Sequence, residues 1–361
     1  MINEIPQKIC FIDSLFISII SAMKRDLVTF FHEKGRDLPW RVSRDPYRVY
    51  LSEIMLQQTR VEAVKGYFKR FLDRFPTVGD LASSNEEEVL LLWQGLGYYS
   101  RARNLRACAI EVTKRFNGEF PKTKEELLAL PGIGEYTASA IASICFDEKC
   151  AAVDGNLYRI YARLNAIPKT LADKGERGRC ATYFESWMDD ANPSDINQGL
   201  MDLGELVCLP NGAPKCADCP FVPSCKAHSQ NKELLYPAKK VKKAKKSEPL
   251  IVFLLKYGDK YLLHKRSDSG LLASLYEFPN AITRDLDQAK NELRKAGIEM
   301  GTAHHIGCSK HIFTHLIWDM DWYAADIESL LSDAYVLATK EEVASKYALP
   351  SAFAFGLKSI Y

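Results

Sequence analysis

The sequence predicts an α+β protein of two domains. An all-helical region over residues 23–236 is followed, across a lysine-rich linker at 237–248, by a mixed α/β region over residues 249–361. Three observations carry this reading. A chain of 361 residues exceeds the roughly 250 to 300 residues at which one hydrophobic core stops growing. From Met23 to Tyr236 the apolar residues recur at spacings of three and four, the period of helices, whereas beyond residue 249 they form strand-like runs. With 47% hydrophobic, 26% charged and 11% aromatic residues, both regions bury real cores, which excludes a disordered chain. The formal net charge of +2 excludes a globally basic nucleic-acid binder, but not one whose basic groups share a face.

Individual elements follow in order. Residues 1–22 form an extension of unassigned role. Its run from Cys10 to Ile20 has the apolarity of a signal-peptide core, but Asp13 interrupts it and only Lys8 precedes it among the nearby basic residues. It is too short to span a bilayer, so it reads as extra amphipathic helix or as sequence upstream of a start at Met23. Helix starts are legible at Thr77, at Ser84-Asn85 before three glutamates, and at Thr123 before Lys124-Glu125-Glu126. Pro237 and Pro249 bracket Lys239, Lys240, Lys242, Lys243, Lys245 and Lys246, the composition of a solvated linker that could also track phosphates. Pro249 to Arg266 reads as two strands joined at Gly258-Asp259, His315 to Tyr323 as another strand, and Asp285 to Ala296 as a helix.

Chemistry concentrates in three places. Leu130-Pro-Gly-Ile-Gly-Glu-Tyr-Thr-Ala138 is a tight turn between helices, in which Gly132 and Gly134 can take the positive φ that turns N–H groups toward an anion such as a DNA phosphate. Asp154, in Val153-Asp-Gly-Asn156, precedes a helix; it reads as an N-cap whose pKa the helix terminus holds down. Glu53 lies among Leu51, Ile54, Met55 and Leu56, company that gives a carboxyl either a surface position or a raised pKa. One acid near neutrality beside one held ionised suits the breaking of a glycosidic bond through a cationic sugar. Finally, of ten cysteines, Cys208, Cys216, Cys219 and Cys225 cluster, whereas Cys10, Cys108, Cys145, Cys150, Cys180 and Cys308 are scattered. That distribution points to a reducing compartment and a metal site; spacing alone leaves tetrahedral zinc and an iron–sulfur cluster both open.

Together, the glycine turn, Val153-Asp-Gly-Asn156, Trp93-Gln-Gly-Leu-Gly-Tyr-Tyr-Ser-Arg-Ala-Arg103 and the cysteine loop resemble the helix-hairpin-helix DNA glycosylases. Ser52-Glu-Ile-Met-Leu-Gln-Gln-Thr59 and Leu38-Pro-Trp-Arg41 are similar to the adenine DNA glycosylases among them, which excise adenine mispaired with 8-oxoguanine. The resemblance covers the chain from about residue 23 to its end. The bifunctional endonuclease III branch carries a Schiff-base lysine two residues after the second hairpin glycine; this chain has Tyr136 there, which implies hydrolysis alone and an abasic product. An endonuclease III-like lyase and a non-catalytic iron–sulfur DNA-binding protein are the other readings. Tyr136 argues against the first, and the retained Glu53 and Asp154 against the second.

The resemblance implies roles. Glu53 is the acid that protonates adenine and helps to activate water, Asp154 stabilises the sugar cation, and Tyr136 and Asn156 support them. Trp40, Arg41 and Gln198 form the adenine pocket; Gln58 and Tyr98 wedge into the DNA stack, and Thr59 and Leu96 lie near the oxidised guanine. The cysteines ligate one [4Fe–4S] cluster, although residues 209–215 make the first spacing one residue longer than usual, which bears on the placing of Cys208 and the reach of Lys215. Gly270 to Pro279 is similar to the family's Nudix-like domain, but Arg294 and Lys295 stand where a Nudix hydrolase needs metal-binding acids, leaving recognition rather than nucleotide hydrolysis. Phe313, Thr314 and His315 resemble the loop that reads 8-oxoguanine, with strand-edge packing as the plainer reading of Phe313. The implied partner is duplex DNA carrying adenine opposite 8-oxoguanine or guanine. The implied protein is a monomer in the cytoplasm, nucleoid-associated in a bacterium, without membrane contact.

Overall fold

A computed structural model describes residues 5–239 and 244–361, with side chains from residue 18 onward. Lys240, Lys242 and Lys243 of the expected linker, and the side chain of Cys10, lie outside the described residues. Two compact units emerge: residues 5–68, 77–79 and 108–239 form one, and residues 69–76, 80–107 and 244–361 the other. The stretch around residues 80–107 therefore groups with the C-terminal residues.

Among the described residues, the helical stretch contains α1 (Ile5–Lys34), α2 (Pro46–Leu56), α3 (Val61–Arg74), α4 (Val78–Ser83), α5 (Glu86–Trp93), α6 (Ser100–Phe116), α7 (Lys124–Leu128), α8 (Glu135–Phe146), α9 (Gly155–Asn165), α10 (Lys174–Glu185), α11 (Pro193–Leu206) and α12 (Lys226–Ser229). The run around Cys10 is thus part of α1, which crosses the expected boundary at Met23 without a break. No helix among the described residues is long and apolar enough to cross a membrane. Caps explain several starts: Thr123 accepts from Glu126 N, and Asn192 from Asp195 N. At α5 the cap is Asn85 rather than Ser84, whose hydroxyl donates instead to Leu81 O.

In the first unit α8 is the central helix. Its sequence Thr137-Ala-Ser-Ala-Ile-Ala-Ser-Ile144 is buried on every side, and its small residues let α2, α7 and α11 approach closely. α11 in turn packs on α1 and α9. At Gly204 the approach of α11 to α9 leaves no room for a side chain, since a Cβ there would stand 2.5 Å from Asn156 Cβ.

The second unit contains a mixed sheet of β1 (Lys246–Tyr257), β2 (Lys260–Lys265), β3 (Tyr276–Glu277), β4 (Asn280–Ala281), β5 (Ile298–Met300), β6 (His304–Ile312), β7 (Leu316–Leu330) and β8 (Tyr335–Thr339), with α13 (Leu286–Lys295), α14 (Lys340–Ser345) and α15 (Ala354–Ile360). Its main path is β3-β2-β1-β7-β5; β4 also pairs with β1, β6 with β7 and β8 with β2. Among the described residues only the central β1 and β7 run parallel. Both faces of β1 are covered: Leu250, Val252 and Leu254 enter the core with Val343, Phe353 and Ile360, and Ile251, Phe253 and Leu255 the core with Ala289 and Leu293 of α13. That double burial explains the unbroken apolar run in its sequence. β1 begins at Lys246 rather than Pro249, because its first residues pair with β7 from Leu316 onward. β7 itself starts one residue after His315 and extends to Leu330.

Gly204→Ala is expected to destabilise the first unit by about 1 to 3 kcal/mol through overpacking against Asn156. The exposed helical Gly178, where a Cβ meets nothing within 4 Å, gains up to about 1 kcal/mol on the same change. Thermal melts of the two variants should therefore move in opposite directions from the unsubstituted protein.

Candidate active site

Glu53 sits on the inward face of α2, between Tyr50, Leu51, Ile54 and Met55, and is only 7% exposed. Tyr136, in the first turn of α8, donates its hydroxyl proton to Glu53 Oε2 at 2.7 Å. Burial raises the Glu53 pKa above the ordinary carboxyl value; the Tyr136 hydrogen bond opposes the shift and nearby Asp154 reinforces it. Tyr136 is itself pushed well above the usual tyrosine range by burial and by Glu53, so it remains a donor.

Asp154 caps α9 as its position in the sequence implies, accepting from Asn156 N and Leu157 N at 2.8 Å each. Its pKa, however, is raised, not lowered as the helix terminus alone would suggest. Burial is the largest influence and outweighs the backbone donors, Arg159 and the Asn156 amide together. The two acids still differ in support. Three N–H groups converge on Asp154, including Asn156 Nδ2 on Oδ2 at 2.9 Å, whereas one hydroxyl reaches Glu53.

Both carboxyls line one cleft of about 870 Å³, together with Trp40, Arg41, Gln58, Thr59, Tyr136, Asn156 and Gln198. Trp40 is buried with its ring edge-on to Phe68, 5.5 Å away. Arg41 is fixed by Asp202, which sequence reading missed. This carboxylate is 0% exposed and takes both Arg41 Nη atoms at 2.6 and 2.9 Å, as well as Arg36 N and Nε at 2.8 and 2.7 Å. Burial alone would raise the Asp202 pKa, but Arg41 and Arg36 bring it below the ordinary value. The signal was present, since Asp202 interrupts Leu200-Met201 and Leu203 much as Glu53 interrupts its own apolar run. Asn197 was missed too. It is fully buried, accepts from Ala152 N, and donates to Ser143 Oγ and Cys150 O, holding the segment that leads to Asp154. Gln198 Nε2 donates to Ser194 Oγ at 2.8 Å.

Gln58 stands at the cleft with φ +57. In the second unit Tyr98 has φ +47 and is 45% exposed, between Gly97 and Tyr99 in the turn after α5. Left-handed backbone costs a residue with a Cβ about 1 to 2 kcal/mol. Leu96 is buried, with its carbonyl accepting from Arg101. At the tip of the β6–β7 hairpin Thr314 and His315 are exposed, while Phe313 is half-buried against Trp318 and His311, at 4.9 and 4.5 Å. Packing therefore accounts for part of Phe313. The Tyr98 hydroxyl lies 2.8 Å from Thr314 Oγ1. In the turn before α8, Gly132 has φ +74, but Gly134 is extended at φ −99 and serves as the N-cap, so only one of the two glycines needs its conformational freedom.

The four clustered cysteines line a single pocket walled by Ile160, Leu164, Leu203, Val207 and Phe221. Burial pushes the Cys219 thiol up to about 12, with further upward pressure from the other three thiols. Residues 210–213 of the longer first spacing loop into solvent, Lys215 N bonds Val207 O at 2.9 Å, and Pro214 lines the pocket. Cys208 keeps its place, accepting from Arg163 Nη1 at 3.1 Å. Four cysteines lining one pocket, whose walls are largely apolar but include Arg163, His228 and Glu233, fit a thiolate-ligated cluster. Of the remaining cysteines, Cys108 and Cys150 in the core and the half-buried Cys145 are pushed up to about 12 by burial, which leaves them as unreactive thiols.

Residues 51–184 match the HhH-GPD superfamily of base excision DNA repair proteins, and residues 251–357 match the NUDIX domain. The chain is 34% identical over 292 residues to an adenine DNA glycosylase of Buchnera aphidicola subsp. Acyrthosiphon pisum (strain APS), covering 81% of this chain and 83% of that protein. It is 32% identical over 371 residues to one of Rattus norvegicus, covering 86% and 72%. A solved thermostable thymine-DNA glycosylase superimposes with a TM-score of 0.54 at 26% identity, over 60% of this chain and 99% of that one. A trapped endonuclease III–DNA covalent intermediate shares the fold, with a TM-score of 0.51 at 22% identity over 59% and 96%. With two acids in one cleft, a cysteine-lined pocket and these likenesses along most of its length, the chain belongs to the adenine DNA glycosylase family of base excision repair.

Proposed function

We propose that the protein is a monofunctional glycosylase that hydrolyses the N-glycosidic bond of adenine opposite 8-oxoguanine or guanine in duplex DNA, leaving an abasic site. The observation that carries this reading is the pairing of Glu53 and Asp154 in one cleft, with Tyr136 rather than an amine lining that cleft and bonded to Glu53. Glu53, biased toward its neutral form by burial, donates its proton to a ring nitrogen of the flipped adenine; the glycosidic electron pair leaves with the base. Asp154, held by its three N–H donors, stabilises the resulting sugar cation. Glu53, now a carboxylate, takes a proton from water as the hydroxyl adds to the sugar carbon. Tyr136 and Asn156 hold the two acids in place. No lysine stands where a Schiff base would form, so strand cleavage is not part of the reaction.

Trp40, Arg41 and Gln198 form the adenine pocket, with Asp202 and Arg36 fixing the Arg41 guanidinium. Flipping costs a few kcal/mol, and Gln58 and Tyr98, already held in left-handed backbone, fill the vacated stack, with Thr59 and Leu96 beside the opposite base. Gly132, Gly134 and the first turn of α8 offer N–H groups to a phosphate. Phe313, Thr314 and His315 read the oxidised guanine. Cys208, Cys216, Cys219 and Cys225 would hold one [4Fe–4S] cluster, which cross-links the loop after α11. The protein acts as a monomer in the cytoplasm, or at the nucleoid in a bacterium, without membrane contact. Arg294 pairs with Glu299 in place of metal-binding acids, which supports recognition rather than nucleotide hydrolysis in the second unit.

Single-turnover assays on duplexes with adenine opposite 8-oxoguanine, and opposite guanine, should give strand breaks only after alkali. Glu53→Gln should slow release on the order of 10²- to 10⁴-fold with duplex binding retained; near-normal turnover in this variant removes Glu53 from the acid role. The pH profile adds a second test. Activity should fall as pH rises through the elevated Glu53 pKa, because the acid is lost. Tyr136→Phe removes the bond that lowers that pKa, so its basic limb should move to higher pH; an unmoved limb contradicts the assignment.

A further inference from the structure

The β6–β7 ribbon carries a cluster that adenine excision does not use. The register between these antiparallel strands shifts between His305 and Gly307. On a regular strand, residues three apart face opposite sides; one extra residue reverses the alternation, so His305 and Cys308 project from the same face. Gly307 makes this obligatory. Its φ is +146, and a Cβ there would lie 2.6 Å from Phe355 Cζ. Across the ladder, Cys308 pairs with Asp321 and His305 with Tyr323. The Cys308 thiol donates to Asp321 Oδ1 at 3.0 Å and lies 3.6 Å from His305 Nε2. The three potential ligand atoms all fall within 4.8 Å of one another. The ring of Tyr323 stands edge-on to His305 with centroids 5.2 Å apart, which limits where the imidazole points.

We propose that His305, Cys308 and Asp321 bind one zinc ion, with water as the fourth ligand. The donor set decides the metal: a thiolate with an imidazole and one carboxylate suits zinc, whereas calcium and magnesium require a shell of oxygens. The spacing agrees. With zinc–sulfur and zinc–nitrogen bonds of about 2.3 and 2.0 Å, a tetrahedral edge between the two ligands is about 3.5 Å, close to the 3.6 Å found between Cys308 and His305. The sulfur–oxygen gap is shorter because the thiol proton bridges it; ligation releases that proton to solvent and lets the carboxylate move out. Neighbouring Asp319 is already engaged by Arg284. The ion would bind at solvent-accessible residues on the ribbon whose tip bears residues 313–315, independently of the four-cysteine pocket.

The test uses the full chain with its cysteine-loop cluster intact, alkylated by iodoacetamide with and without buffered zinc chloride. Modification is read at the Cys308 peptide by mass spectrometry. At free zinc ten times its Kd, labelling of Cys308 should slow by about tenfold from mass action. His305→Ala at an exposed position and Asp321→Asn at a half-buried one should each abolish most of that protection. Equal labelling with and without zinc overturns the proposal, as does protection that persists undiminished in both variants, which would mean zinc held by the thiol alone.

Discussion

The hydrogen bond from Tyr136 to Glu53 joins α2 to α8 where a carboxyl group has been withdrawn from water. An unpaired buried carboxylate would be costly, and the chain meets that cost in two ways: the group is biased toward its neutral form, and it is given one donor. The same environment acts on Asp154, but there the first turn of α9 supplies backbone N–H groups. Two acids of one kind are thus held differently, by the number of donors that reach each of them.

The frame around them is built from close approaches. Small residues along α8 bring α2 and α11 near, and Gly204 lets α11 touch the first turn of α9 at Asn156. Asp202 on the same helix gathers Arg36 and Arg41 and so sets one wall of the cleft. Buried carboxylates paired to arginine have little latitude, because breaking any bond leaves a charge without a partner. The wall is therefore as firmly positioned as the acids.

Much of this was legible in the sequence because its carriers are local. Helical periodicity, the Asn-before-glutamate and Thr caps, the glycine turn and the cysteine spacing each follow from neighbouring residues. The cleft residues Glu53, Tyr136, Asp154, Trp40, Arg41 and Gln198 were nameable from motifs, and they share one cavity. What was not legible depended on partners distant in sequence. The Asp154 pKa follows burial by other helices, not its own cap. Asp202 and Asn197 act on groups far away in the chain, and Gly134 is extended because it caps α8 rather than turning the chain. β1 starts early because β7 offers a parallel partner from Leu316, a pairing that no local pattern announces.

The central claim is that burial keeps the Glu53 carboxyl protonated above the ordinary range before any substrate arrives. Infrared difference spectroscopy of the free protein against Glu53→Gln, followed across pH, measures this directly through the carboxylic C=O band. The expected result is a band assignable to Glu53 that persists above the usual glutamate titration and vanishes in the variant. A Glu53 band lost at or below the ordinary value of 4.5 would contradict the claim.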